Sequence, residues 1–149
     1  MSNIGISVDR ALHMRAVARK AYVASKELAG FDERRARGMF VLGYVHDIGY
    51  EFVENQEDHA SMGSSLLQLI GSPWHTEVLN HGVVDTEYDT IELAVLNYAD
   101  MTTGPKGEDW TLEQRLLDIA RRYGPESKQY RDAKIICERV EQRLLLSDH

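Results

Sequence analysis

The chain has 149 residues, 43% hydrophobic and 28% charged, which is enough for one hydrophobic core without disulfide staples and unlike the make-up of a disordered tail. Its net charge of -7, from 17 Lys+Arg against 24 Asp+Glu, argues against a broad basic surface for nucleic acid. A small phosphorylated molecule is still admissible, because a metal and a few local bases can neutralise it whatever the global charge.

Cys137 is the only cysteine, so no internal disulfide can form, and a reducing, cytoplasmic compartment is expected. Residues 1–10 contain no apolar signal-peptide core, and no apolar run approaches the roughly 18 residues of a membrane span. Neither export nor membrane anchoring is expected.

In chain order, residues 11–29 are rich in Ala, Arg, Lys, Leu and Val and predict a first helix, with Leu12, Ala16 and Arg19 or Lys20 at helical spacing and Gly30 as its stop. Asp32 predicts the N-cap of a second helix over 33–48, whose apolar second half is expected to be the buried half and whose Gly49 closes it. Gly38 and Gly43 inside it each cost about 1 kcal/mol against Ala, which points to close helix packing. A third helix is predicted over 58–70, ended by Gly71, and a short fourth from Ser72-Pro73 through Leu79.

After a polar loop, residues 90–101 predict a fifth helix with Ile91, Val95 and Tyr98 or Ala99 on one face and Asp100 near its end. Residues 102–109, with Gly104, Pro105 and Gly107, form the clearest loop in the chain. Thr111 and Gln114 have the spacing of a capping box, opening a helix to Tyr123 before the Gly124-Pro125 break. The last predicted helix, 126–146, carries Ile135, Ile136, Val140, Leu144 and Leu145 among charges. No convincing period-two alternation occurs, so the expected fold class is all-α, a helical bundle in a single domain.

Chemistry concentrates in His13, His46-Asp47, His59, His81 and Asp100, spread over five predicted elements. A carboxylate in the apolar run Gly43-Tyr44-Val45-His46-Asp47-Ile48-Gly49-Tyr50 needs a cation, a metal or dense hydrogen bonding to compensate its charge. Bundles gather metal ligands from side chains on different helices, and that is how these residues are distributed. Imidazole with carboxylate suits Zn, Mn, Fe, Co or Ni better than Mg, and two His with two Asp leave positions open for water and substrate. A divalent ion in such a site activates water and polarises a phosphoryl oxygen, so hydrolysis is the simplest chemistry.

Other polar and aromatic residues have simpler explanations. Arg34, Arg35 and Arg37 read as a solvated helix face, as do Arg121 and Arg122. Trp74, Tyr44 and Tyr98 read as packing residues, His75 and His149 as structural or solvent residues, and Cys137 as a small buried hydrophobe.

The order His, His-Asp, Asp resembles the HD-domain superfamily, mostly metal-dependent phosphohydrolases with a helical core. The resemblance covers residues 12–101, with the helices over 111–146 as C-terminal packing elements. It implies that His13, His46, Asp47 and Asp100 are metal ligands. Asp58-His59-Ala60-Ser61-Met62-Gly63 is similar to the His-x-x-x-Gly segment of members with a second metal, and His81 in Asn80-His81-Gly82 to their next histidine. One or two ions are therefore implied, with Asp47 as the catalytic residue and, in a dinuclear site, the bridge.

Tyr50 stands where the common His-Asp-Ile-Gly-Lys form has a lysine, which leaves Lys106, Arg34, Arg35 and Arg37 as alternative sources of positive charge. The Gly-Tyr-Pro signature of cyclic-di-GMP phosphodiesterases is absent. The resemblance implies hydrolysis of a nucleotide or another small phosphate ester. Two alternatives stay open: an HD-type di-iron oxygenase, and a non-catalytic module that binds metal or nucleotide.

Overall fold

The structure, a computed structural model, describes residues 8–46, 81 and 90–144. Among these, five helices account for the regular structure: α1 (Val8–Glu27), α2 (Glu33–Val45), α3 (Ile91–Met101), α4 (Leu112–Tyr123) and α5 (Lys128–Leu144). No strand occurs among the described residues; one isolated antiparallel bridge joins Thr103 to Asp109. The fold is all-α, as composition and periodicity predict. No helix among the described residues is long and apolar enough to cross a membrane. The helices expected over 58–70 and 72–79 lie outside the described residues.

Three helix starts follow from local side-chain chemistry. Asp32 accepts the Arg35 N–H at 2.9 Å, Thr90 accepts the Leu93 N–H at 3.1 Å, and Thr111 with Gln114 completes a reciprocal capping box. α5 begins after Ser127, whose hydroxyl accepts the Tyr130 N–H at 3.1 Å. The preceding turn uses Gly124 at φ 98° to end α4.

α3 is the hub. It packs against α1, α2, α4 and α5, and Leu93, Ala94, Val95, Leu96, Asn97 and Ala99 are all buried. A helix apolar around most of its circumference belongs in the middle of a bundle. Its side chains meet Val17, Ala21 and Ala24 of α1, Met39 and Leu42 of α2, and Ile136, Val140 and Leu144 of α5 in one core. Each large aliphatic side chain buried there contributes about 1.5–3 kcal/mol.

α1 and α2 form the tightest pair, and Gly43 is the reason. A Cβ at this position would lie 2.8 Å from Ala18 Cα and 3.0 Å from Val17 O, so the two backbones touch where the side chain is missing. The close packing expected of Gly43 is present.

Two burial patterns differ from expectation. The buried face of α1 is His13, Met14, Val17, Ala18, Ala21, Ala24 and Ser25, one residue out of phase with the predicted stripe, and Leu12 is exposed. Alanines lie all around α1, so apolar periodicity cannot select a face; contact with α2 and α3 does. In α2, only Ala36, Met39, Leu42 and Gly43 are buried, while Phe40, Val41 and Tyr44 are exposed despite the apolar run that holds them.

The predicted arginine faces are not merely solvated. Arg35 pairs with Glu92 at 3.1 Å and lies over the Phe31 ring at 3.7 Å, tying α2 to α3. Arg121 and Arg122 both pair with the buried Asp118, at 2.9 and 3.1 Å. Cys137 is buried in α5, and burial pushes its thiol up to about 11, consistent with a packing residue.

Candidate metal centre

Three helices each bring one residue to a common point. His13 comes from the second turn of α1, His46 from the C-cap of α2, and Asp100 from the last turn of α3. His13 Nε2 lies 3.0 Å from Asp100 Oδ1, and His46 Nε2 lies 3.1 Å from the same oxygen. The three ligand atoms all fall within 4.8 Å of one another. The rings of His13 and His46 are 5.6 Å apart and tilted by 50°.

The opposite nitrogen of each ring meets a backbone carbonyl: His13 Nδ1 at 2.9 Å from Gly104 O, and His46 Nδ1 at 2.7 Å from Gly43 O. A carbonyl oxygen only accepts, so each Nδ1 carries the proton and donates. In the neutral ring the Nε2 lone pair then faces Asp100. Two lone pairs pointing at one carboxylate oxygen require a positive species between them, either protons on Nε2 or a metal ion. Orientation of a ligating imidazole through Nδ1–H to a carbonyl is the usual supporting arrangement for a metal-bound histidine.

The separations also suit an ion. Ligand atoms about 2.1 Å from one metal and roughly 90° apart are about 3.0 Å from each other, matching the two Nε2–Oδ1 distances. His46 is fully buried and His13 is 7% exposed, whereas the Asp100 side chain is 23% exposed, so the carboxylate edge is the most open part of the trio. The three donors together could hold a metal ion.

The loop after α3 is built to present the Gly104 carbonyl. Thr103 bridges Asp109, Gly104 donates to Glu108 O at 2.8 Å, Gly107 donates to Gly104 O at 3.0 Å, and Trp110 donates to Thr102 O at 2.9 Å. Lys20 of α1 anchors the loop by donating to Thr102 O and pairing with Asp109 at 2.7 Å. Gly107, at φ 87°, lets the loop lie on α1, since a Cβ there would be 2.8 Å from Leu12 O. On the other side, Arg115 of α4 donates from Nη2 to Asp100 O and to Thr103 O, each at 3.2 Å.

Of the six residues expected at the site, His13, His46 and Asp100 are together. His81 is buried and packs edge-on against His46, with centroids 5.4 Å apart and planes at 84°, beside the trio. Asp47 and His59, like Tyr50, lie outside the described residues. Arg34, Arg35 and Arg37, the alternative sources of charge, occupy the N-terminal end of α2, roughly 15 Å along its axis from His46. Lys106 is exposed on the loop two residues beyond Gly104. The Gly104 carbonyl and the guanidinium of Arg115 were not legible as site groups, since only folding brings them there.

No protein-family model, curated protein or solved structure matched the chain.

Burial pulls the pKa of His13 down, but the hydrogen bond and charge of Asp100 together with the Gly104 carbonyl outweigh it, so it lies above the ordinary 6.5. A raised folded-state value means that this interaction stabilises the metal-free protein fully below pH 6.5 and is lost as pH rises through the folded value. Metal binding runs the other way, because it needs the neutral ring. Metal-free protein is expected to lose thermal stability as pH is raised from 6 to 8, while its affinity for Co²⁺ rises. Thermal melts and cobalt titrations over that range check both slopes; a metal affinity that falls with rising pH would contradict the assignment.

Proposed function

We propose that this chain is a metal-dependent phosphohydrolase of the HD type, acting on a nucleotide or another small phosphate ester. One observation carries the reading: His13 and His46, each fixed by a carbonyl on Nδ1, converge through Nε2 on Asp100 Oδ1, in the His, His, Asp order of the resemblance. Asp47, His59 and His81 are the remaining candidates for the ligand set, with Asp47 in the catalytic role.

A divalent ion held by these residues lowers the pKa of water and polarises a phosphoryl oxygen. The rest of the work belongs to the protein. Gly43 O and Gly104 O hold both imidazoles in the tautomer that presents Nε2, so no proton has to move within the ring before an ion binds. Asp100 offsets part of the ion's charge, and burial of His13 and His46 keeps bulk water from competing for their donor atoms. With a chain charge of -7, the substrate's phosphate would have to be neutralised locally, a charge that an ion held by His13, His46 and Asp100 would supply. A single cysteine, reduced and buried, accords with a cytoplasmic enzyme.

Elemental analysis of the purified protein should find a transition metal, with the count per chain separating one ion from two. Protein loaded in turn with Mn, Co, Ni, Fe, Zn and Mg should then release phosphate from some member of a phosphomonoester and nucleotide panel. Inactivity on the whole panel in every metal form would overturn the hydrolase reading.

A second reading has one observation on its side. The described trio is two histidines and one carboxylate, the donor set of non-haem iron oxygenases. It predicts iron in the purified protein and an iron EPR or Mössbauer signal that changes on exposure to oxygen; zinc or manganese as the native metal would exclude it.

A further inference from the structure

We propose that Arg115 is a positioning residue of the metal centre, an inference that rests on the metal-binding reading above. Two of the three ligands depend on the turn 100–104. Asp100 contributes its carboxylate directly, and Gly104 contributes the carbonyl that orients His13. Within that turn the Thr103 N–H donates to Asp100 O at 3.2 Å. Arg115 Nη2 adds a donor to the same Asp100 carbonyl and another to Thr103 O, the peptide leading into Gly104. One guanidinium nitrogen therefore sets the distance between the residue that binds the ion and the residue that aims His13.

The arginine is held for this task at a visible cost. Its Nε is buried and has no hydrogen-bond partner among the described residues, an arrangement that proteins rarely leave in place without a use. Trp110 lies against the guanidinium, 5.5 Å from the ring centroid, restricting its orientation. A positive charge at the C-terminus of α3 also meets the negative end of that helix dipole. A purely structural clamp would need only the charge at the helix end. The geometry here selects the two carbonyls that flank the site.

The test is titration of full-length, metal-stripped protein with Co²⁺, reading affinity and the cobalt visible absorption spectrum, beside circular dichroism to count folded chains. Arg115→Met is expected to weaken cobalt binding per folded chain about 10-fold, the lower end of the loss typical for groups that support a ligand, and to alter the cobalt bands. Arg115→Lys keeps the charge but not the planar fork, so it should fall between the two. Should R115M not fold, R115K alone decides, through affinity and spectrum relative to the wild type. A variant that melts earlier yet binds Co²⁺ with wild-type affinity and spectrum would make Arg115 a structural clamp and overturn the proposal while leaving the metal centre intact. Wild-type protein that binds no Co²⁺ would overturn both.

Discussion

Asp100→Asn is expected to weaken metal binding at least about 100-fold while leaving the bundle folded. Asp100 Oδ1 is faced by both Nε2 nitrogens, at 3.0 and 3.1 Å, and Asp100 carries the negative charge of the described trio. Asparagine keeps the shape and removes the charge. Loss of a group that merely supports a ligand weakens metal binding by about 10–100-fold, so loss of a charged ligand should cost at least about 100-fold. In a melt, metal at about 100 times its Kd stabilises the wild type by about 2.7 kcal/mol. That corresponds to a rise in Tm of about 5–10 °C for a chain of this size, against no more than about 2 °C for D100N. Calorimetric titration with Mn²⁺ or Co²⁺ checks the affinity directly, and an unchanged Kd would remove Asp100 from the site.

The same substitution weakens a pH dependence. With Asp100 present, its hydrogen bond and charge outweigh burial and raise the His13 pKa. Asparagine removes that charge while its amide oxygen can still accept from the ring, so the rise in the His13 pKa shrinks and less stability is lost as pH rises. The slope of stability against pH between 6 and 8 should therefore be shallower in metal-free D100N than in the metal-free wild type.

Gly43→Val is expected to be the most destabilising of the conservative-looking substitutions near the site. The first added carbon already lies 2.8 Å from Ala18 Cα and 3.0 Å from Val17 O, and both contacts are backbone atoms that no rotamer change can move. α1 and α2 must separate, undoing contacts of Val17, Met39 and Leu42 in the core. Overpacking of this kind costs about 1–3 kcal/mol, so a loss of about 2–3 kcal/mol, or about 5–10 °C in Tm, is expected. Metal affinity should fall as well, since His13 and His46 sit on the two helices being pushed apart and Gly43 O accepts from His46 Nδ1. Thermal melts with and without Co²⁺ measure both effects; a variant as stable as the wild type would contradict the close approach.

The parts of the fold that were legible in the sequence are those decided by neighbours along the chain. Asp32 and the Thr111–Gln114 box announce their helices because the groups that satisfy the first N–H donors lie within three residues. Gly43 could be read as a contact point because an interior helical glycine has a cost that something must offset. The phase of α1 could not be read, because alanine lets several faces be buried and its partners choose among them. Exposure of Phe40, Val41 and Tyr44 was equally hidden, since an apolar run does not say which of its sides meets another helix.

The candidate site divides in the same way. Residue type and order alone mark His13, His46 and Asp100 as a potential ligand set, since imidazole and carboxylate are donors that a transition metal takes. Their convergence spans 87 residues between His13 and Asp100 and 54 between His46 and Asp100, distances over which local sequence carries no geometric information. Only packing of α1, α2 and α3 puts three side chains on one point. Only the loop clamped by Lys20 and Arg115 turns the Gly104 carbonyl toward His13 and so determines which nitrogen faces the carboxylate. Residue order thus establishes which donors are available and which helices carry them. Their convergence, and the orientation of His13, come from the packed bundle, because Asp100 and Gly104 are distant in the chain from their partners, whereas His46 is oriented by the Gly43 carbonyl three residues before it.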